Sequence, residues 1–263
     1  MKKTVLFLCL LLSIGAFAQS AVVNATKINS LAISADQIIG QDQFGFIYYV
    51  TNNVFYKRKG NQALEYKNIA LGKITVIDIK NPLKIVMYYE NFNTVILLDN
   101  QLNEVQKINF AENNTSLFVN AIGMSTQNRL WIFNLVDQQI GLLDYLKNEY
   151  RAVSTPLSRK IKAYQANYNS FEWIDENLDW YSCDIFGKIT TKGSIPAFDK
   201  IAIGENDQII FSREGLVYHF DQIKNKATAI NISEKSFSNF DYKDQILSIF
   251  TSEGIINYKI AIP

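Results

Sequence analysis

Histidine is nearly missing from this chain: His219 is the only one in 263 residues. Acid–base catalysis near neutral pH falls most often to histidine, so such chemistry would have to be built on one side chain. His219 lies in the apolar run Leu216-Val217-Tyr218-His219-Phe220, alternating with Val217 as a strand residue does, and reads as structural or surface-lying rather than as a base. Cysteine is almost as scarce. Cys9 falls inside an N-terminal apolar run, which leaves Cys183 alone in the rest of the chain. A lone cysteine closes no intrachain disulfide, and one histidine with one cysteine falls short of a zinc site. Neither sign of charge dominates: 26 basic against 25 acidic residues give a net +1, a balance that points to neither nucleic acid nor an anionic membrane. Glycine-rich phosphate loops and the spaced acidic loop of a calcium site are also absent. No catalytic residue, metal or other cofactor is expected.

What the chain does contain begins at its N-terminus. Lys2 and Lys3 precede an almost wholly apolar run from Thr4 to Phe17, followed by the small residues of Ala16-Phe17-Ala18. This is the pattern of a secretory signal peptide, and it predicts cleavage after Ala18. The run is shorter than the ~20 apolar residues of a membrane span, which weighs against an uncleaved anchor. Leu6-Phe7-Leu8 before Cys9 lacks the small residues of a lipidation site. The expectation is an exported protein of the periplasm, outer membrane or cell surface, with a signal peptide over 1–18 and one domain over 19–263. No transmembrane span is expected in the mature chain.

The rest reads as strands. Short runs rich in β-branched and aromatic residues, such as Lys84 to Tyr89, Thr94 to Leu98 and Leu130 to Phe133, end in Asn, Asp, Gly or Lys, as half-buried strands do. The best helix candidate, Pro156 to Ala166, supports at most a short helix or an extended loop. The core must come from apolar side chains, which make up 48% of the residues, 13% being aromatic.

A weak internal repeat organises these strands. Three segments run from a strand through an apolar residue and Asp into a polar turn and another strand. They start Ile96-Leu97-Leu98-Asp99, Gly141-Leu142-Leu143-Asp144 and Tyr218-His219-Phe220-Asp221. Asp suits such a turn because its carboxylate accepts from backbone N–H groups just ahead of it. With the strands before them, these become four-stranded units starting near Ile38, Lys73, Ser116, Lys162, Lys200 and Phe237, spaced about 40 residues apart. The last unit has three clear strands, and Lys27 to Ile33 can supply its fourth. In these units, above all Asn128 to Phe133, Gln208 to Phe211 and the Leu-Asp turns, the chain resembles the β-propeller superfamily. That resemblance implies an all-β fold: a single propeller of six blades, each of four antiparallel strands, closed by the N-terminal strand. WD-repeat, kelch and sialidase signatures are absent, so it implies no subfamily's activity.

Two functional readings follow. The first is a non-catalytic binding or scaffold module, an accessory part of a cell-envelope assembly whose partner is another envelope protein. Bulky residues expected in exposed loops, Phe92, Tyr145, Tyr164, Tyr168 and Phe198, would anchor it. The second is a carbohydrate-binding or glycan-active propeller. It would use Glu172, Asp175 and Trp180, with Trp173, Glu176, Asp179 and Tyr181 around them, because rings stack on sugars and paired carboxylates hydrolyse glycosidic bonds. The competing structural reading of this stretch is a hairpin whose tryptophans pack inside a blade while its acids cap the turn. Lys57-Arg58-Lys59 reads as a solvated basic turn.

Overall fold

The computed structural model describes residues 22–112, 117–204 and 207–262. The expected signal peptide lies outside the described residues. After β1 (Val23–Ala32), the first blade comprises β2 (Gln37–Gln41), β3 (Ile47–Thr51), β4 (Val54–Lys59) and β5 (Gln62–Tyr66). The second comprises β6 (Val76–Asp78), β7 (Ile85–Tyr89), β8 (Thr94–Leu98) and β9 (Glu104–Asn109). The third comprises β10 (Val119–Met124), β11 (Arg129–Asn134), β12 (Gln139–Asp144) and β13 (Glu149–Ala152). The fourth comprises β14 (Ile161–Ala166), β15 (Ser170–Asp175), β16 (Asp179–Asp184) and β17 (Ile189–Ser194). The fifth comprises β18 (Lys200–Ile203), β19 (Ile209–Arg213), β20 (Leu216–Asp221) and β21 (Lys226–Asn231). The sixth comprises β22 (Asn239–Lys243), β23 (Ile246–Thr251) and β24 (Gly254–Ile260), with β1 as its outermost strand.

Each blade is an antiparallel meander, and the first strands of successive blades approach one another: β6 with β10, β10 with β14, β18 with β22. They ring the axis of a six-bladed β-propeller. The second strands are covered by neighbouring blades on both faces and are therefore among the most buried in the fold. Every residue of β7 is buried. The ring closes as the repeat predicts, with β1 running antiparallel to β24 from Ala25↔Ile260 to Ala32↔Gly254. The start of β1 also pairs parallel with β21, Val23↔Ile230 and Asn24↔Asn231, so hydrogen bonding fuses blades five and six into one eight-stranded sheet.

Two local expectations are corrected. Pro156 to Ala166 holds no helix; it is the crossing into blade four followed by the inner strand β14. Lys57-Arg58-Lys59 is not a turn but the end of β4, and Lys57 is buried. Its ammonium donates to the Asn100 carbonyl at 2.8 Å and lies 4.5 Å from the centre of the Phe46 ring. These contacts offset part of the desolvation cost that lowers its pKa.

Because strands alternate in direction, the first and third turns of every blade lie at one end of the propeller, called the upper end below. The second turns and the crossings between blades lie at the other, lower end. The aspartates of the third turns are turn-makers, as expected. Asp99 accepts from the N–H groups of Gln101 and Asn103, Asp144 from Leu146 and Lys147, Asp221 from Lys224, and Asp184 does the same for Phe186 and Lys188. No described helix is long and apolar enough to cross a membrane.

Candidate binding surfaces

The acid and tryptophan hairpin of blade four is split by its own sheet. Side chains alternate faces along a strand, so Phe171, Trp173 and Asp175 point toward blade three while Glu172 and Ile174 point toward blade five. Cross-strand register completes the division: Trp173 faces Tyr181, and Ile174 faces Trp180. Trp173 packs with Trp131, Phe133 and Cys183 in the seam between blades three and four. Trp180 packs with Ile209, Phe211 and Phe220 in the next seam. Both tryptophans are buried and offer no sugar platform. Glu172 and Asp175 therefore form no carboxylate pair. Asp175 caps its hairpin, accepting from the N–H groups of Asn177 and Asp179 at 2.9 and 3.0 Å, and pairs with Arg159 at 3.2 Å.

Glu172 takes part in a polar knot instead. Asn167 donates to Glu172 Oε1 at 3.1 Å, accepts from Lys80 Nζ at 2.7 Å, and receives the Trp131 indole N–H on its carbonyl at 2.7 Å. Blades two, three and four are thus tied at one residue. Burial raises the pKa of Glu172 against the lowering effect of Lys192, the Trp180 indole and Lys80. Asp241 of blade six is solvent-exposed, yet burial is the largest cause of its raised pKa. That combination fits a side chain lining the axial channel.

The loop residues fare unevenly. Phe92 and Tyr168 are exposed, at 50% and 47%. Tyr164 and Phe198 are half-buried; the first stacks on Phe171, and the second lies under the Lys162 ammonium. Tyr145 is not exposed. Its ring closes the seam between blades two and three, and its hydroxyl bonds Lys84 and Asn128. The residue that projects from its turn is the next one, Leu146. His219 is buried on the third strand from the axis, where desolvation lowers its pKa. Burial lifts the Cys183 thiol to about 11, leaving it unreactive.

Two surface features combine geometry with accessible chemistry. At the lower end, asparagines in the second turns hold the next crossing. Asn53 bonds Gly72 O and Ile74 N, Asn93 bonds Leu117 O and Val119 N, and Asn134 accepts from Phe118 N. Gly72, at a φ of 71° that favours glycine, sits against the Phe92 ring. At this end, across blades one to three, Ile69 (79% exposed), Phe92, Phe118 (48%) and Val136 (65%) face solvent. Three of these four escape a sequence reading, although each is a lone apolar residue in a polar loop. The second feature is a crevice of about 170 Å³ between the crossing Thr155 to Arg159 and the outer half of blade four, lined also by Trp173, Asp175 and Tyr181.

No protein-family model and no curated protein matches the chain. Solved structures do. Virginiamycin B lyase from Staphylococcus aureus is 14% identical with a TM-score of 0.58 over 86% of this chain and 80% of its own; a catalytically inactive histidine-to-alanine variant of that lyase, with quinupristin, also matches. The β-propeller domain of Cps50 (Swd1) from Myceliophteria thermophila is 7% identical with a TM-score of 0.60, over 90% of this chain and all of the other. The WD40 propeller domain of Doa1 is 9% identical at 0.60, over 93% and 94%. At such identities the likeness is one of fold: the chain is a β-propeller.

Proposed function

We propose that this chain is an exported, non-catalytic binding module, an accessory subunit of a cell-envelope assembly that docks another envelope protein. The observation that carries this reading is the exposure of Ile69, Phe92, Phe118 and Val136 at the lower end. Single apolar side chains are ordinary on a protein surface, but four at one end, in connections held by a hydrogen-bonded asparagine frame, suit the docking of a partner. The single histidine of this chain, His219, is buried on the third strand of blade five. Cross-linking and pull-down from envelope extracts tests the reading. The wild type should retain a defined partner that the triple variant Ile69→Glu, Phe92→Glu, Val136→Glu loses while staying folded; equal capture by both would overturn it.

A second reading, carbohydrate binding, draws on the crevice, where the Arg159 guanidinium, the Asp175 carboxylate and the Tyr181 ring converge. It concerns binding, since the carboxylate pair for hydrolysis is divided between two faces. A glycan array that retains wild type but not Arg159→Ala would favour it.

A further inference from the structure

We infer that the upper end of the propeller is a membrane-docking face, whose third-turn tips on blades three to five enter the surface of a bilayer carrying anionic headgroups. The third turn of a blade needs no apolar residue. In Asp144-Tyr145-Leu146, Asp184-Ile185-Phe186 and Asp221-Gln222-Ile223 the aspartate makes the turn by accepting backbone N–H groups. The residue two positions on contributes only its backbone and points away from the fold. A polar side chain serves equally there, as Gln101 does after Asp99. On three consecutive blades that position instead holds Leu146, Phe186 and Ile223, exposed by 68%, 84% and 99%. The first turn of blade one repeats the device, Asp42 holding the N–H of Phe44, which is 54% exposed. Tyr168 and Leu83, at 47% and 64%, stand in first turns at the same end.

The choice of a bilayer over a protein rests on spacing and charge. These tips project from separate blades, so they do not merge into the clustered pocket-filling set of a protein hot spot. A fluid layer accepts separate tips at shallow depth. Each tip also carries lysine: Lys147 beside Leu146, Lys188 two past Phe186, Lys224 and Lys226 beyond Ile223, all exposed. Acidic residues lie close by, but further in. The side chains of Asp144 and Asp221 are 27% and 24% exposed, against 67% and 69% for Lys147 and Lys224, which also reach them at 3.9 and 3.0 Å. Among the described residues the exposed acids beside these tips are Glu149, at the start of β13, and Asp207, which Lys192 pairs at 2.7 Å. The outermost charge is therefore mostly ammonium on a long apolar stem, suited to snorkelling toward lipid phosphate.

This inference uses the end opposite to the proposed docking residues, so the two readings fail separately. The test is flotation of the purified chain, lacking residues 1–18, with phosphatidylcholine vesicles with or without phosphatidylglycerol. The wild type should float with the anionic vesicles, and less so at high salt. The variant Leu146→Ser, Phe186→Ser, Ile223→Ser should lose binding by about tenfold or more while keeping its melting temperature, because these side chains pack against nothing they would destabilise. Lys188→Gln with Lys226→Gln should weaken binding only where phosphatidylglycerol is present. The Ile69, Phe92, Val136 variant should float like wild type. A wild type that stays in solution, or a serine variant that floats unchanged, overturns the inference; so does a serine variant that loses a protein partner while the vesicles never bind.

Discussion

The seam between blades two and three and the seam between blades six and one do the same job with different means. In the first, fourteen buried residues interlock, with Val86, Tyr88, Val95, Leu97 and Phe110 meeting Val119, Ile122, Leu130, Ile132 and Leu143. In the second, the buried cluster among the described residues is Ile38, Ile47, Phe250 and Ile255, with Ile33, Ala35 and Tyr49 partly covered. Packing holds the first seam. The second joins the two ends of the ring, and there much of the stabilisation comes from backbone pairing. β1 contributes seven register pairs to β24 and two to β21, while its own side chains stay largely in solvent. A chain that closes a ring non-covalently thus depends on hydrogen bonds where its core is thinnest.

Removing β1 should break this arrangement most severely. It bares the edge of β24, and unpaired edges invite aggregation. Thermal unfolding of a chain starting after Ala32 should show a loss of cooperative melting or poor solubility; an unchanged melting temperature would mean that the thin seam closes by packing alone. Single core truncations should then rank the two seams. Leu97→Ala in the thick seam should fall high in the ~2–5 kcal/mol range of such changes, and Ile38→Ala at the joint nearer ~2 kcal/mol, because a sparse cluster collapses more readily around the missing atoms. Denaturant titration gives both numbers, and a reversed order would refute the ranking.

Smaller effects should appear where seams bury polar groups. Glu172 has a raised pKa in the fold, so the folded state binds its proton more tightly than the unfolded chain. Its penalty is absent at acid pH and grows as pH rises through and above the ordinary carboxylate range. Glu172→Gln should therefore raise the melting temperature at neutral pH, with the gain shrinking toward acid, provided the amide keeps the Asn167 contact. Melting curves across pH that run parallel for the two proteins would remove the role assigned to that carboxylate. His219 is shifted the other way. Burial lowers its pKa, so stability should fall as pH drops below the ordinary histidine range. His219→Gln should flatten that slope and otherwise alter stability only modestly.

Much of this was readable from residue order. The blade starts expected near Ile38, Lys162 and Lys200 fall within a residue of the inner strands β2, β14 and β18, because β-branched and aromatic runs between polar turns encode a meander locally. The division of the blade-four cluster was also available: Glu172 and Asp175 are an odd number of positions apart, which puts them on opposite faces of any regular strand. The burial of Tyr145 and Lys57 was not. Each belongs to a segment that looks polar and exposed, and each is covered by a different blade, through Lys84 in one case and Asn100 in the other.

Sequence alone therefore determined the strand pattern, the six-fold repeat and the aspartate turns, since all three depend on side chains acting on their own stretch of backbone, and the count of strands in the last unit pointed to the closing segment. Tertiary structure decided which blade face each residue meets, which loop side chains are covered, and that Ile69, Phe92, Phe118 and Val136 all stand exposed at the lower end. Those outcomes depend on distant segments that the ring brings together, and contacts of that kind leave no local mark on the chain.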